Sequence, residues 1–474
     1  MAARGIFMAK FTYIAFIVFL CYFLLLSAFY LFLVLLGFIE GRRRRWESQA
    51  EDYPAAYLAG NVMSVSLVMP AHNEEEWIAD ALNSILNLNY PKFEVIVVDD
   101  NSSDRTLEVV NGILELRPLD LPYTKHYKDG VVRSVFRSLK YPNIKVISKE
   151  KGFKKAGAVN AGLNLAVNEY VCVVDADTVL EQDALLKVMA HVGRDPDRII
   201  GIGSYFGLAN DLKVKNGLII GKTFSYNPLI ACQNLEYIRS FIGNRIGWSR
   251  YNATPVVAGG FNLWRRDIIY ELGGFSPDFT CEDIEFTFRA QDYLAKNRAK
   301  GYRIEILPYS VGWTEGPANV ASLISQRSRW QRVTDETVAH YRYMIFNARF
   351  GAFAFLTLPY FLLYEVFGVF FEITGVLFVG TGWAFGVFDF RIFALFILFM
   401  SLTQAFTSIL SVFSFVRIQK VFSARYIAYL VFLTLTEFFW YRLLISAAKL
   451  EGTYTFLRKD KDYTQYKRKK RAEL

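Results

Sequence analysis

An α/β domain on a mostly parallel sheet, with membrane-crossing helices at both ends of the chain, is the fold class these residues predict. Three observations predict it. Unbroken β-branched runs alternate with helix-spaced segments from Val65 to about Asn347. A charge-free stretch, Phe11 to Ile39, is followed after Glu40 by "GRRRR". From Phe350 to Ala448 the chain is mostly apolar, in a protein that is 53% hydrophobic and 16% aromatic, a bias ordinary for chains partly in lipid.

The first tract is longer than the apolar part of a signal peptide and has no small-residue cleavage site before the basic run. It can cross a hydrocarbon core of about 30 Å, and its basic flank predicts that the chain beyond Arg45 is cytosolic. Residues 1–45 are therefore read as a transmembrane helix and 46–62 as a linker. The next segment, 63–315, carries the α/β rhythm. Apolar strands "VSLVMP", "FEVIVVDD", "IKVIS" and "YVCVVDAD" alternate with helices "EEEWIADALNSILNL", "DRTLEVVNGILEL", "AGAVNAGLNLAV" and "EQDALLKVMAHV". Only Pro118 to Pro142 breaks the pattern. Such strands form a sheet covered on both faces, and ligands gather beyond their carboxyl ends.

Residues 316–349 read as interfacial helices and 350–448 as a membrane region with apolar tracts Phe350–Phe388, Ile392–Val416 and Tyr426–Ala448. Glu365 and Glu372 lie in the first of these, where a carboxylate is costly and is expected to face protein or a functional path. Three simple crossings would leave the 449–474 tail outside, whereas its "KRKKR" argues for inside. A cytosolic tail is preferred, with the first tract folding back or one tract not crossing.

Net charge is +9, and the two runs Arg42–Arg45 and Lys467–Arg471 account for all of it. Nucleic-acid binding would need a basic stripe on the folded part; these bases border apolar tracts and read as topogenic and headgroup-facing. Cys21, Cys172, Cys232 and Cys281 are scattered without metal-ligand or disulfide spacing, and the four histidines are equally dispersed.

The acidic motifs fall where such a sheet collects ligands. "VVDDNSSD" ends a strand in Asp99 and Asp100, neighbouring charges that repel unless a partner is present, while Asp104 reads as a helix cap. In "VCVVDADTV", strand period sets Asp175 and Asp177 on one side of the ribbon. Two oxygen donors there suit Mg2+ or Mn2+, hard cations that also take phosphate oxygens; a plain turn would also account for the pair. "GFKKAGAVNAG" sets Lys155 beside small residues that let a backbone approach a ligand, ready to neutralise a phosphate or hold a carboxylate. "TCEDIEFTFRA" puts Glu282 and Asp283 at a helix start, which the dipole favours and which a general base could also use. "VVAGGFNLWRRD", with Gly260, offers a floor for a sugar ring. In "QRSRW", Gln326, Arg329 and Trp330 share one helix face. Together these groups suit one reaction: a metal-bound diphosphate leaves a sugar C1 while a deprotonated hydroxyl attacks from behind.

The motifs resemble the membrane-integrated family-2 glycosyltransferases, which include synthases of cellulose, hyaluronan and poly-N-acetylglucosamine. The likeness covers nearly the whole chain through "VMPAHNEE", "VVDDNSSD", "DAD", "CED" and "QRSRW", and "LEYIRSFIGNRIGW" and "LPYFLLYEVFG" match a bacterial subgroup. It implies a GT-A fold in which Glu74, Asp99, Asp100, Lys155 and Asp175 serve the nucleotide donor and Asp175 and Asp177 the metal. It also implies Asp283 as the base, with Gly260, Glu282, Gln326, Arg329 and Trp330 around acceptor and diphosphate, Arg329 near the diphosphate and Trp330 beneath the acceptor sugar. The implied partners are a nucleotide-sugar donor, a polysaccharide or lipid acceptor, membrane lipids, and export or regulatory subunits, but no nucleic acid. The implied location is the inner membrane. The chain departs from the family at Cys281, where Thr is usual, and in "EKGFKKAGAVN", where the subgroup often carries an Asp. A processive polysaccharide synthase, a transferase placing one sugar on a lipid, and a non-catalytic membrane scaffold are the three readings the motifs leave.

Overall fold

The computed structural model describes residues 2–49, 62–120, 123–150, 152–386, 389–419 and 422–459. Most of the expected linker and the run Lys467–Arg471 lie outside these residues. The strands are β1 (Val65–Ala71), β2 (Phe93–Asp100), β3 (Leu116–Pro118), β4 (Val132–Ser138), β5 (Ile144–Lys149), β6 (Tyr170–Val174), β7 (Val179–Leu180), β8 (Ile199–Leu208), β9 (Lys213–Lys215), β10 (Leu218–Gly221), β11 (Phe261–Arg265) and β12 (Arg303–Thr314). Apart from the β9–β10 ribbon they form one ten-stranded sheet in the order β3-β4-β5-β2-β1-β6-β11-β8-β12-β7.

The centre of that sheet, β5-β2-β1-β6, is parallel as expected. The two ends depart from the parallel pattern. Strand β4, inside the supposedly irregular insert, pairs antiparallel with β5, and β11 runs antiparallel to both β6 and β8. All seven residues of β1 are buried, which requires cover on both faces. Alternate residues feed opposite clusters. Val68, Ile96, Val98, Val171 and Val173 point one way, and Leu67, Met69, Val95, Val97 and Val174 the other, as period 2 dictates.

The helices of the domain are α1 (Ala2–Gln49), α2 (Ile78–Leu86), α3 (Thr106–Leu114), α4 (Lys154–Leu163), α5 (Ala184–Val192), α6 (Pro228–Ile238), α7 (Ile246–Arg250), α8 (Arg266–Leu272), α9 (Glu282–Lys296) and α10 (Val320–His340). Helix α2 buries Ile78, Ala81, Leu82 and Ile85, the stripe its spacing predicts. Helix α4 corrects one expectation. Its glycines serve packing: a Cβ on Gly162 would fall 2.4 Å from Val68, and one on Gly157 would fall 2.6 Å from the Gly152 carbonyl.

Beyond α10 come α11 (Gly368–Ala384), α12 (Phe390–Ile418), α13 (Ala424–Thr436) and α14 (Tyr441–Leu457), so the last helix runs past the expected boundary at 448. Among the described residues two helical stretches, Tyr13–Arg44 and Ala394–Ile418, are long and apolar enough to cross a membrane. Two bent pairs, Phe353–Val366 with Gly368–Ala384 at 48° and Ala424–Phe439 with Tyr441–Leu457 at 53°, raise the number to four if each is one span. The carboxylates inside the first pair face protein: Glu365 lies 2.7 Å from Lys449, and Glu372 pairs with Arg442.

Helix α6, a π-helical stretch Arg239–Arg245 and α7 form one continuous rod, which wedges between α1 and α12. Glycine makes that approach feasible. A Cβ on Gly37 would lie 2.3 Å from the Ile242 carbonyl, and one on Gly247 2.9 Å from the Leu33 carbonyl. The basic run after α1's apolar part is also more than a headgroup contact. Arg44 is buried, 3.0 Å from Glu40 and 2.8 Å from Glu305, and its carbonyl accepts from the Tyr309 hydroxyl at 2.8 Å. The expectation of an exposed arginine fails there because Glu40, Glu305 and His191 offer a pocket of complementary groups.

Candidate active site

Four chain ends converge at the carboxyl edge of the central strands: those after β1, β2 and β6, and the start of α9. At the end of β2, Asp99 and Asp100 are both buried. Their mutual repulsion is relieved in two ways. Asp99 accepts from the Ser102 amide at 3.2 Å, and Asp100 pairs with Lys149, its register partner on β5. Lys149 is wholly buried and also donates to the Gly152 carbonyl at 3.0 Å. Burial holds the Asp100 carboxyl above its ordinary range in spite of this ammonium. His72, in the loop after β1, has Nδ1 2.8 Å from the Asp100 carbonyl.

Glu74 sits in that same loop. Its amide donates to Thr106 at 2.8 Å, and its carbonyl accepts from Trp77 and Ile78, so the backbone of Glu74 starts α2 and docks on α3. The Asp104 carboxylate accepts from the Thr106 amide at 3.0 Å and from the Glu75 amide at 3.1 Å. The N-cap position of α3 is Arg105 and not Asp104; Asp104 orders the helix start from one residue earlier and ties the two loops together.

The DAD segment differs in detail from its expectation. Strand β6 ends at Val174, and Asp175 to Thr178 form a turn closed by the Thr178 amide on the Asp175 carbonyl at 3.0 Å. The two acids are set by a turn and not by one ribbon face. Asp177 is buried and Asp175 partly exposed. Burial pushes the Asp175 carboxyl up to about 6, with Asp177 adding to the rise and Lys155 opposing it.

Lys155 is the centre of the site. Its ammonium lies 2.6 Å from Asp175 and 2.8 Å from Glu282. Burial alone would lower the lysine, but Asp175 and then Glu282 hold it well above its ordinary value. One cation from α4 thereby joins the DAD turn to the start of α9. Asp283, the next residue, accepts from the Gly259 amide at 2.8 Å. A Cβ on Gly259 would sit 2.9 Å from the Lys155 ammonium and 3.3 Å from the Asp283 carboxylate, so the glycine the site needs is Gly259. Gly260 beside it packs on the Phe206 ring, 3.1 Å from where its own Cβ would be.

On α10, Gln326 is buried and Trp330 is 37% exposed. Arg329 acts electrostatically on Cys281, the residue before Glu282 and Asp283. What joins Gln326 to Trp330 is Arg327, a residue that no motif singles out. Arg327 stacks 4.1 Å over the Trp330 ring, pairs with Glu236 at 2.8 Å and donates to Gln326; Tyr441 donates to the same Glu236 at 2.7 Å. Helix α10 lies closest to α14. A Cβ on Gly452 would fall 2.3 Å from the Ser328 carbonyl, while Val333, Val338 and Tyr341 share a cluster with Leu33 of α1.

Among the described residues no group of three or more His, Cys, Asp or Glu side chains is set to cage a metal ion. Asp175 and Asp177 offer carboxylate oxygens only, a donor set that fits Mg2+ or Mn2+ completed by phosphate oxygens and water. The mixed sheet and this edge of acidic groups define a GT-A-like fold. The profile of Glycosyl transferase family 2 matches residues 66–273, and that of Glycosyl transferase family group 2 matches residues 170–443, more than half of the chain. The chain belongs to the family 2 glycosyltransferases.

Two curated relatives bracket the likeness. A probable glycosyltransferase YdaM of Bacillus subtilis (strain 168) is 28% identical over 333 residues, 68% of this chain and 65% of that protein. A poly-beta-1,6-N-acetyl-D-glucosamine synthase of Staphylococcus aureus (strain COL) is 27% identical over 269 residues, 56% of this chain and 53% of that protein. The chain thus spans between half and two thirds of the relatives it matches. A solved mannosyltransferase, PcManGT of Pyrobaculum calidifontis in complex with GDP-Man and Mn2+, is 17% identical with a TM-score of 0.49, covering 92% of this chain and 100% of that one.

Proposed function

We propose that the protein is an inverting glycosyltransferase that moves a sugar from a nucleotide-diphosphate donor, a UDP-sugar, to a growing polysaccharide at the cytosolic face of the inner membrane, coupled to export. The observation that carries this reading is the Lys155 clamp, which sets Asp175 and Glu282 within 2.8 Å of one ammonium and beside Asp283.

In this scheme Asp99, Asp100 and Glu74 flank the nucleoside. Asp175 and Asp177 would hold the divalent cation, which when bound supplies positive charge to the leaving diphosphate. Asp283 takes the proton of the acceptor hydroxyl, its carboxylate aimed by the Gly259 amide and by the start of α9. Arg329 offers a cation to the departing diphosphate, and Trp330, braced by Arg327, offers a flat surface to the acceptor sugar. Attack from the side opposite the leaving group inverts the anomeric centre. A cytosolic tail results if one bent helix pair crosses and the other folds back; export or regulatory subunits would complete the path.

A second reading, transfer of one sugar to a lipid, draws support from a cavity of about 570 Å3 among the membrane-region helices, lined by Leu26, Ile373, Met400 and Leu443 together with Arg239 and Arg442. Purified protein given a panel of nucleotide sugars and Mn2+ should release nucleoside diphosphate, and chelation should stop it. Asp283→Asn should cut transfer about a thousandfold while leaving donor binding in place. Release that persists without metal, or transfer that survives Asp283→Asn, would sink the assignment. Product size on a gel separates polymer from glycolipid.

A further inference from the structure

The rod formed by α6, the π-helical stretch and α7 contains a guanidinium that the proposed transfer does not use. Arg245 ends the π-helical turn, a local geometry frequent at functional sites. Among the described residues no carboxylate lies within ion-pair distance of it, and its Nη1 is buried with no hydrogen-bond partner. Its one close neighbour of note is the Phe241 ring, 4.2 Å away. Burial pulls its pKa down to about 10, against the more distant charge of Asp283. The residue as a whole is half-buried; a buried donor such as its Nη1 ordinarily has an acceptor, and an anion supplies one to a guanidinium.

Its neighbours say where that anion comes from. Phe241 packs on Phe206 at 5.0 Å, and Phe206 underlies Gly260 beside the Asp283 contact. In the other direction Phe241 meets Tyr237, which lies 6.4 Å from the Trp330 ring. Arg245 therefore stands on the acceptor side, between the base and the stacking tryptophan. The rod on which it sits is seated against α1 and α12 by Gly37, Gly243 and Gly247. Tyr30 of α1, which lines the apolar cavity, interacts with the preceding residue, Asn244. An anionic group held at Arg245 would thus lie at the junction of the catalytic edge and a lipid-accessible cavity whose Leu377, Phe439 and Leu443 are exposed.

We infer that Arg245 is the binding residue for the phosphate of a lipid-linked acceptor, the planar fork taking two phosphate oxygens while the hydrocarbon chain enters the neighbouring cavity. This rests on the second reading of the function, in which the acceptor is a lipid.

The test uses the full chain in nanodiscs, with farnesyl phosphate as probe, farnesol and inorganic phosphate as separate arms, and binding followed by tryptophan fluorescence. Wild type should bind farnesyl phosphate. Arg245→Gln should weaken that binding about ten- to a hundredfold, the span expected for a lost charge-assisted contact, with farnesol affinity the same in both proteins. Arg245→Lys, which keeps the charge and not the fork, should fall between them. Inorganic phosphate should compete only weakly, since it lacks the chain; competition as strong as farnesyl phosphate would overturn the lipid source. Equal affinity of wild type and Arg245→Gln for farnesyl phosphate would overturn the site, as would displacement by a hexuronate oligosaccharide but not by farnesyl phosphate. Nucleoside diphosphate release by the wild type reads the donor reaction separately, so its failure would not be mistaken for failure of the phosphate site.

Discussion

The pair formed by Asp100 and Lys149 shows what a single residue decides. Lys149 is wholly buried and faces a carboxylate that is nearly so, and removing one member of such a pair costs about 3–5 kcal/mol. Lys149→Met should therefore destabilise the domain by about that much in chemical denaturation. The deficit should also depend on pH. Asp100 already titrates above its ordinary range because it is buried, and without the ammonium it would rise further. Protonated, it carries no uncompensated charge, so the loss should be smallest in acid and grow as pH rises through the raised value. Trp330→Ala should raise the acceptor KM about tenfold or more while donor binding is little changed; equal loss of both would remove the ring from the acceptor side. Asp175, Asp177, Glu282 and Asp283 are legible in the sequence because carboxylates at strand ends and helix starts carry their chemistry in local context. Lys149, Arg327 and Glu236 are not, because each means something only beside a partner distant in the chain. One signal for Lys149 does exist: it closes a buried strand in register with Asp100.

Between helices, small residues set the geometry. The α10–α14 contact has no room for a side chain at Gly452, and overpacking of this kind costs about 1–3 kcal/mol or displaces the element. Gly452→Val should push α10 away from α14 and carry Gln326 and Trp330 with it. The expected outcome is retained donor hydrolysis with transfer to acceptor strongly reduced, measured side by side on one preparation. Helix existence and the inward stripe of α2 can be read from spacing. The faces that meet cannot: nothing in the 3.6-residue period tells that α10 seats on α14, nor that Arg239–Arg245 adopts the wider π turn. The antiparallel direction of β11 is equally hidden, because its run "FNLW" has no feature that fixes direction.

The assembly as a unit is joined by a cluster at the arginine-bearing end of α1. Glu305 receives Arg44 at 2.8 Å and His191 at 2.9 Å, with Arg303 at 3.4 Å. Burial disfavours its charge, but the His191 and Arg44 contacts hold its carboxyl well below the usual glutamate range. A depressed acid contributes stability above its unfolded pKa and loses it as pH falls toward the folded value. Glu305→Gln should accordingly lower the melting temperature clearly at pH 7 and by less at pH 4, the difference read by thermal denaturation in detergent. The division into a membrane helix, an α/β domain and an apolar end is readable from composition, whereas this joint is not, since the "RRRR" run reads as four equivalent charges until one is seen turned inward.

That inward turn has a mechanical result. A helix keyed to the sheet through one arginine, and packed backbone to backbone along Gly37 and Gly247, can neither spin about its axis nor slide like a piston unless the whole domain moves with it. Any rearrangement of the apolar end must then come from elsewhere, at the bent pairs near Phe367 and Trp440, with α1 serving as the fixed post against which they swing.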